Sequence, residues 1–373
     1  MAVEDRSIVP AVDVADYRAL DRVASPRCIE VLDQRALPHA VTTVRIADVG
    51  TAAYAIRDMV VRGAPLIGAV GAYGLALALD ADASDESLAR AHALLDATRP
   101  TAVNLRWALD RVRARVQRVP PEMRANVAWD EADAIRAEDV RINASLGGHG
   151  LTVLRALARR YDRPLNVMTH CNAGALATCG FGTATSPIFR AHAKGVRLHV
   201  WVSETRPRMQ GAHLTAWEMA RRGIPHTLIV DSASGLLMQR GDVDVVLVGA
   251  DRAAANGDVC NKIGTYDKAL AAADNAIPFY VALPSPTIDW ETRSGNDIPI
   301  ETRSSDEVLL VRGRVATGEA AAVAIAGEST TVLNLAFDIT PARLVTGYMT
   351  ERGIANDTAS LHRLFPERTH ARS

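Results

Sequence analysis

The chain predicts an α/β fold, and three observations carry that expectation. From residue 165 onward, the short apolar runs LNVMTH, VRLHVWVSE, PHTLIVDSA, VDVVLVGAD and IPFYVALP alternate with helical stretches. These runs are nearly continuous in apolar residues, as in strands covered on both faces of a parallel sheet. Ahead of them, from Arg57 to about Leu146, apolar residues recur at three and four, the period of helices. The expected architecture is a doubly wound, Rossmann-like parallel sheet over residues 149–373, preceded by a smaller, mostly helical N-terminal domain over residues 1–148.

Taken in order, the N-terminal stretch MAVEDRSIVPAVDVADYRALDR is broken by charges and has no apolar h-region, so no secretion signal is expected. The segment VVRGAPLIG then places Arg62, Gly63 and Ala64 ahead of Pro65, and proline favours the first helical position. The uncharged stretch Pro65 to Leu79 is 15 residues long. It falls short of the roughly 20 needed to span a bilayer and reads as a buried helix with Gly68, Gly71 and Gly74 along one side. Pro120-Pro121 and Gly147-Gly148 punctuate the helical half, and the second pair sets the boundary near residue 148. Beyond it, RMQGAHLTAWEMARRG and NKIGTYDKALAAADNA read as crossover helices.

Composition narrows the function. In 373 residues, 42 Lys and Arg stand against 43 Asp and Glu, a net charge of −1, which argues against nucleic-acid or membrane binding by bulk charge. Hydrophobic residues at 48% and charged residues at 23% describe a globular chain, and with no secretion signal or membrane span read in it, a cytoplasmic one is expected. The four cysteines, Cys28, Cys171, Cys179 and Cys260, form no CxxC pair, so neither a disulfide scaffold nor a structural zinc is expected. A dinucleotide site is disfavoured: in GFGTAT the third glycine is Thr185, and the motif begins ten residues past the strand end.

Ligands of open α/β sheets bind at the carboxyl ends of the strands. Here those ends carry His170-Cys171-Asn172, Glu204-Thr205-Arg206, Asp231-Ser232 and Asp251-Arg252. Cys171 opens a Gly/Ala-rich segment expected to begin a helix, whose dipole would lower the thiol pKa; a small buried hydrophobe is the equal alternative. Asp251 ends an apolar strand, where desolvation would keep it protonated as a general acid; an exposed turn aspartate is the alternative. Asp231 reads as an N-cap. Arg62, with the free amides at a helix start, makes an anion cradle. Arg99 and Lys262 flank small or rigid residues, and Lys262 too reads as a helix start.

Taken together, VRGAPLIG, TRPTAVNLRWA, EDVRIN, THCNAGALATCGFGTA, VSETRPRMQGAHLTAWEM, VGADRAAANGDVCNKIGTYDKA, DIPIETR and NLAFDITPARLVTGYMTERG closely resemble the S-methyl-5-thioribose-1-phosphate isomerase family over about residues 28–355. The wider family includes ribose-1,5-bisphosphate isomerases and the regulatory subunits of the eukaryotic initiation-factor nucleotide exchanger. The resemblance implies an aldose–ketose isomerase of methionine salvage, a homodimer that works on a small sugar phosphate without cofactor or metal. It implies Asp251 as proton donor and Cys171 as its partner. It implies substrate contacts at Arg62, Gly63, Ala64, Arg99, Gln210, Asn261 and Lys262; Gln210 carries no mark of its own. Two departures, His213 for a common arginine and PSPTID for a TSTID-like run, bear on the exact sugar. A related sugar phosphate and a non-catalytic regulatory subunit are the alternatives, but the latter lacks the full set that this chain retains.

Overall fold

Three short strands, β1 (Leu20–Val23), β2 (Cys28–Leu32) and β3 (Thr43–Ile46), form an antiparallel sheet ahead of the first helix. The computed structural model describes residues 17–99, 103–327 and 329–369. Most of the N-terminal stretch read above, and Pro100 to Ala102 beside Arg99, lie outside them. Helix α1 (Val49–Arg57) starts on Asp48, whose carboxylate accepts from the Thr51 amide at 2.8 Å, a side-chain N-cap.

Helix α2 (Ala64–Ala81) starts where Pro65 predicts, with Gly63 as its N-cap at φ 105°. A Cβ on Gly63 would stand 2.5 Å from Ala177, so both the positive φ and the close approach require glycine. By length and composition α2 is apolar enough to cross a membrane. Every residue from Leu66 to Leu79 is nevertheless buried, packed among α1, α3 (Asp85–Asp96), α4 (Val103–Val116) and α5 (Pro121–Ala158). A helix apolar all round is stable only inside such a core.

The helix break expected at Gly147-Gly148 does not occur. Helix α5 runs unbroken for 38 residues, through the boundary expected near residue 148. The glycine serves packing instead: a Cβ on Gly147 would meet the Ser186 hydroxyl of α6 (Thr185–Ala193) at 2.1 Å.

The five apolar runs become β4 (Leu165–Thr169), β5 (Leu198–Ser203), β6 (His226–Ile229), β7 (Val245–Val248) and β10 (Phe279–Ala282). They join β15 (Gly347–Thr350) and β16 (Gly353–Ala355) in a seven-stranded sheet, order β16-β15-β10-β7-β4-β5-β6, parallel except for β16. Helices α5 and α6 cover one face; α9 (Thr265–Asp274) and α11 (Thr358–Leu364) contribute to the core on the other. The chain winds from β4 through β5 to β6, then returns to the far side of β4 with β7. The strand order reverses between β4 and β7, which opens a crevice at their carboxyl ends.

A third sheet, of four strands, departs from the expected architecture, as does the β1–β3 sheet ahead of the helices. Strands β8 (Arg252–Ala254) and β9 (Val259–Lys262) follow β7 directly and pair with β11 (Ile288–Asp289) and β14 (Phe337–Thr340). Lys262 therefore ends a strand and does not start a helix; α9 begins after Gly264, which sits in the left-handed region. A hairpin of β12 (Leu310–Arg314) and β13 (Ala320–Ala324) lies beyond.

Candidate active site

The crevice gathers most of the expected residues. Arg62, Gly63 and Ala64 from the start of α2, Cys171 after β4, Asp251 after β7, and Asn261 on β9 line one recess of about 380 Å³, open solvent at its mouth included. Arg62 also borders a larger groove of about 920 Å³ that Gln210 lines with Met59, Met209 and Leu214. Gln210 is buried, and its Oε1 has no hydrogen-bond partner. Lys262 and Arg99 line neither space, yet both act on Asp251 through their charge.

Asp251 is half-buried, with its amide bonded to the Cys260 carbonyl at 3.0 Å. Burial raises its carboxyl above the usual range, while the cations of Lys262, Arg99 and Arg62 pull the other way. That is the direction expected of a proton donor. The neighbouring Arg252 turns aside to Asp289, with its Nη1 3.4 Å away. Lys262 is buried beneath the ring of Phe337, its Nζ 4.7 Å from the centroid. Burial lowers its pKa, opposed by Cys171 and Asp251.

Cys171 departs from expectation. No helix follows it; the next ordered piece is a single 3-10 turn at Ala175–Ala177, and α6 starts only at Thr185. Without a helix dipole, burial pushes the thiol pKa up, against the cations of Arg62 and Lys262 and with help from Asp251. Its backbone has φ 61°, a left-handed conformation rare outside glycine. Two threonines hold it there. The Cys171 amide donates to Thr205 Oγ1 at 2.8 Å, and Thr215 Oγ1 donates to the Cys171 carbonyl at 2.6 Å.

The cradle has its own support. Arg62 donates from Nη1 to Asn172 Oδ1 at 2.6 Å and from Nη2 to the Asn172 carbonyl at 2.7 Å. Asn172 Nδ2 donates in turn to the buried Glu218 at 2.6 Å. Arg99 is 7% exposed; its Nε faces the Glu301 carboxylate at 3.6 Å, and neither Nε nor Nη1 makes a hydrogen bond. A buried guanidinium with unbonded donors suits an arriving anion. Asn261 is fixed by Nδ2 donating to Thr265 Oγ1 at 3.0 Å.

Sequence reasoning placed Asn172 and Thr205 at strand ends without a role and missed Thr215 and Glu218, because partners more than thirty residues away leave no local mark. Asp231 was misread. It caps no helix; its carboxylate accepts from the Ser203 hydroxyl and from the Thr205 and Arg206 amides at 2.8 and 2.7 Å. Burial alone would raise it, but these bonds and Lys268 hold it below the usual carboxylate range. His170 is neutral: burial, with Lys268 nearby, pushes it down to about 3, and its Nε2 donates to the Ile263 carbonyl. All four cysteines are free. Among the described residues no group of acidic, histidine and cysteine side chains is arranged to hold a metal.

Known proteins share this arrangement of chain. The profile of the initiation factor 2 subunit family matches residues 60–357. The chain is 55% identical over 346 residues to a methylthioribose-1-phosphate isomerase from Rhizobium meliloti, covering 92% of this chain and 95% of that one. It superposes with a TM-score of 0.82 on the crystal structure of 5-methylthioribose 1-phosphate isomerase from Pyrococcus horikoshii, at 38% identity over 97% of this chain and 99% of that one. The delta subunit of translation initiation factor eIF-2B from A. fulgidus is also similar, with a TM-score of 0.75 and 36% identity over 94% of this chain and 99% of that one. The chain belongs to the initiation factor 2 subunit family, and within it stands with the methylthioribose-1-phosphate isomerases.

Proposed function

We propose that the chain is a methylthioribose-1-phosphate isomerase, converting 5-methylthioribose 1-phosphate, an aldose, into 5-methylthioribulose 1-phosphate, a ketose, in methionine salvage. The observation that carries this reading is the meeting of a carboxyl raised by burial, Asp251, with Cys171 and Arg62 in one recess, Arg99 and Lys262 acting on the same carboxyl.

An aldose 1-phosphate is closed as a ring acetal, with no free aldehyde. Asp251 delivers its proton to the ring oxygen as the bond from that oxygen to C1 breaks. The electron deficit at C1 is met by hydrogen arriving from C2, C2 becomes a carbonyl, and its hydroxyl proton returns to the carboxylate. Arg62, the free amides of Gly63 and Ala64, Arg99 and Lys262 hold the phosphate, with Asn261 and Gln210 on substrate hydroxyls. Within this reading the N-terminal region, residues 1–148, brings the cradle to a Rossmann-like catalytic region, residues 149–373, and α5 passes through both. The protein works in the cytoplasm as a homodimer on a small sugar phosphate.

Hydrogen reaches C1 by a hydride shift or through an enediolate. The enediolate route needs a base at C2, for which Cys171 would have to be a thiolate, and burial disfavours that form. The hydride route needs no base and benefits from a water-poor cavity, so it is the route proposed, with the Cys171 thiol packed against the reacting carbons. The test is turnover of purified protein with methylthioribose 1-phosphate deuterated at C2, alongside 5-deoxyribose 1-phosphate and ribose 1,5-bisphosphate. Ketose that keeps deuterium at C1 in ordinary water is expected. Washout within one turnover would overturn the hydride route, preference for another sugar the substrate, and no turnover of any the enzyme.

A further inference from the structure

Two threonines, each more than thirty residues from Cys171 in sequence, bond its N–H and its C=O, and Cys171 is one of the few non-glycine residues with a positive φ. Cys171 has φ 61°, a conformation unfavourable for a residue with a Cβ and kept only where surroundings enforce it. Thr205 Oγ1 takes the Cys171 N–H at 2.8 Å, and Thr215 Oγ1 donates to the Cys171 carbonyl at 2.6 Å. Both threonines are fully buried, so water does not replace either bond. Thr205 is itself in the left-handed region at φ 67°, a genuine outlier for a β-branched residue. Its conformation is imposed by Asp231, which binds its amide and the next one, and its hydroxyl proton is directed to the Ser203 carbonyl at 3.0 Å. That leaves the oxygen's lone pairs toward Cys171.

We propose that Thr205 and Thr215 are positioning residues that hold Cys171 in its left-handed conformation and so aim the thiol into the recess, with Asp231 fixing Thr205. The proposal rests on the reading of Cys171 as catalytic. Neither threonine lines the recess along with Cys171 and Asp251, although Thr205 and Thr215 lie next to it through the Cys171 peptide. Thr215 Oγ1 also accepts from Asn172 Nδ2 at 3.2 Å, and Thr205 Oγ1 lies 3.4 Å from His170 Nδ1, but only at Cys171 do both threonines act on the same residue. A misplacement of the thiol by about 1 Å is enough to cost up to roughly 10²-fold in turnover.

The experiment compares Thr205→Val, Thr205→Ser, Thr215→Val and Cys171→Ala in the full chain. Thr205→Val keeps the shape and loses the hydroxyl; Thr205→Ser keeps the hydroxyl. Both valine variants are expected to lower kcat on the order of 10- to 100-fold with KM within about twofold, and Thr205→Ser to recover most of the loss. Alkylation by iodoacetamide, read on the Cys171 peptide by mass spectrometry, should change rate in the valine variants and return with serine. The wholly buried Cys28 and Cys260 should stay unlabelled throughout. If Thr205→Val does not fold, Thr215→Val makes the same test from the carbonyl side. Unchanged kcat in the valine variants, failure of serine to rescue, or labelling that spreads to Cys28 and Cys260 overturns the clamp. Normal kcat in Cys171→Ala instead overturns the catalytic reading beneath it.

Discussion

Two segments rich in alanine and glycine meet at the crevice and take opposite courses. APLIGAVGAYGLALALDA is one 18-residue helix, α2, whereas CNAGALATCGFGTA, residues 171–184, is irregular but for a 3-10 turn of three residues. Composition does not separate them; the destination of their backbone hydrogen bonds does. Inside α2 every bond can close within the helix, and the apolar surround only has to exclude water. In residues 171–184, polar side chains intercept the backbone first. Thr178 takes the Gly180 and Gly182 amides at 3.1 and 3.0 Å, Asp139 takes that of Cys179 at 2.7 Å, Glu218 that of Leu176 at 3.1 Å, and Thr205 that of Cys171. Threonine, asparagine and aspartate offer the chain this alternative wherever they can reach it. The first segment stores stability and the second holds reactive groups in place.

That contrast can be broken from either side. The largest effect is expected at Leu75 in the middle of α2, wholly buried in the N-terminal core. Leu75→Ala should remove about 2–5 kcal/mol of stability through lost transfer energy and a cavity. Denaturant unfolding measures the loss, and kcat per folded molecule should stay normal. Next, Cys171→Ala and Asp251→Asn should each lower kcat by a factor on the order of 10² or more while the chain still folds cooperatively. A folded variant with ordinary kcat would remove that residue from the chemistry.

Arg62→Ala and Lys262→Ala come third. Each deletes a charge-assisted contact of roughly 1.5–3 kcal/mol, seen as a raised KM for the phosphorylated sugar. Binding of the dephosphorylated sugar should not change. Lys262→Ala should also move the alkaline limb of the kcat profile to higher pH. Lys262 is the leading cation that lowers the Asp251 pKa, and a general acid stays active until it loses its proton. A limb that does not move would mean that another group donates the proton.

The smallest effect is a gain. Because burial raises Asp251 above its unfolded value, the carboxyl costs folding energy at neutral pH, either by ionising in the desolvated site or by taking up a proton there. Asp251→Asn should therefore unfold at a higher temperature than the parent near pH 7. The advantage should vanish below roughly pH 4, where the carboxyl is protonated in both folded and unfolded chains. An advantage that persists in acid would place the gain elsewhere.

The same contrast sets what was legible from sequence. Strand runs such as VDVVLVGAD and the proline at the start of α2 announce themselves, because covered strands and helix starts are governed by neighbours in the chain. The order of strands then brings Cys171 and Asp251 together, and Arg62 arrives with α2. Lys262 at the end of β9, the open course after Cys171 and the true duty of Asp231 were not legible. Each is decided by a partner from a remote element, Phe337, Thr205 and Ser203 among them. Gly147 misled for a related reason: its place is set by Ser186 across a helix pair, and a glycine that makes room looks the same in sequence as one that ends a helix.

Helix α5, at about 1.5 Å per residue, is a rod of roughly 57 Å. Its Trp129, Ala132 and Ile135 belong to the hydrophobic core around α2, and its Leu146, Leu154 and Leu157 to the core against the main sheet. One rigid element thus spends its stability in two places at once. Melting either core frees half of the rod and strips the other of a wall, so neither has an independent melting temperature. Calorimetry should record a single transition in which the van't Hoff and calorimetric enthalpies agree, the signature of one cooperative unit built on two hydrophobic centres.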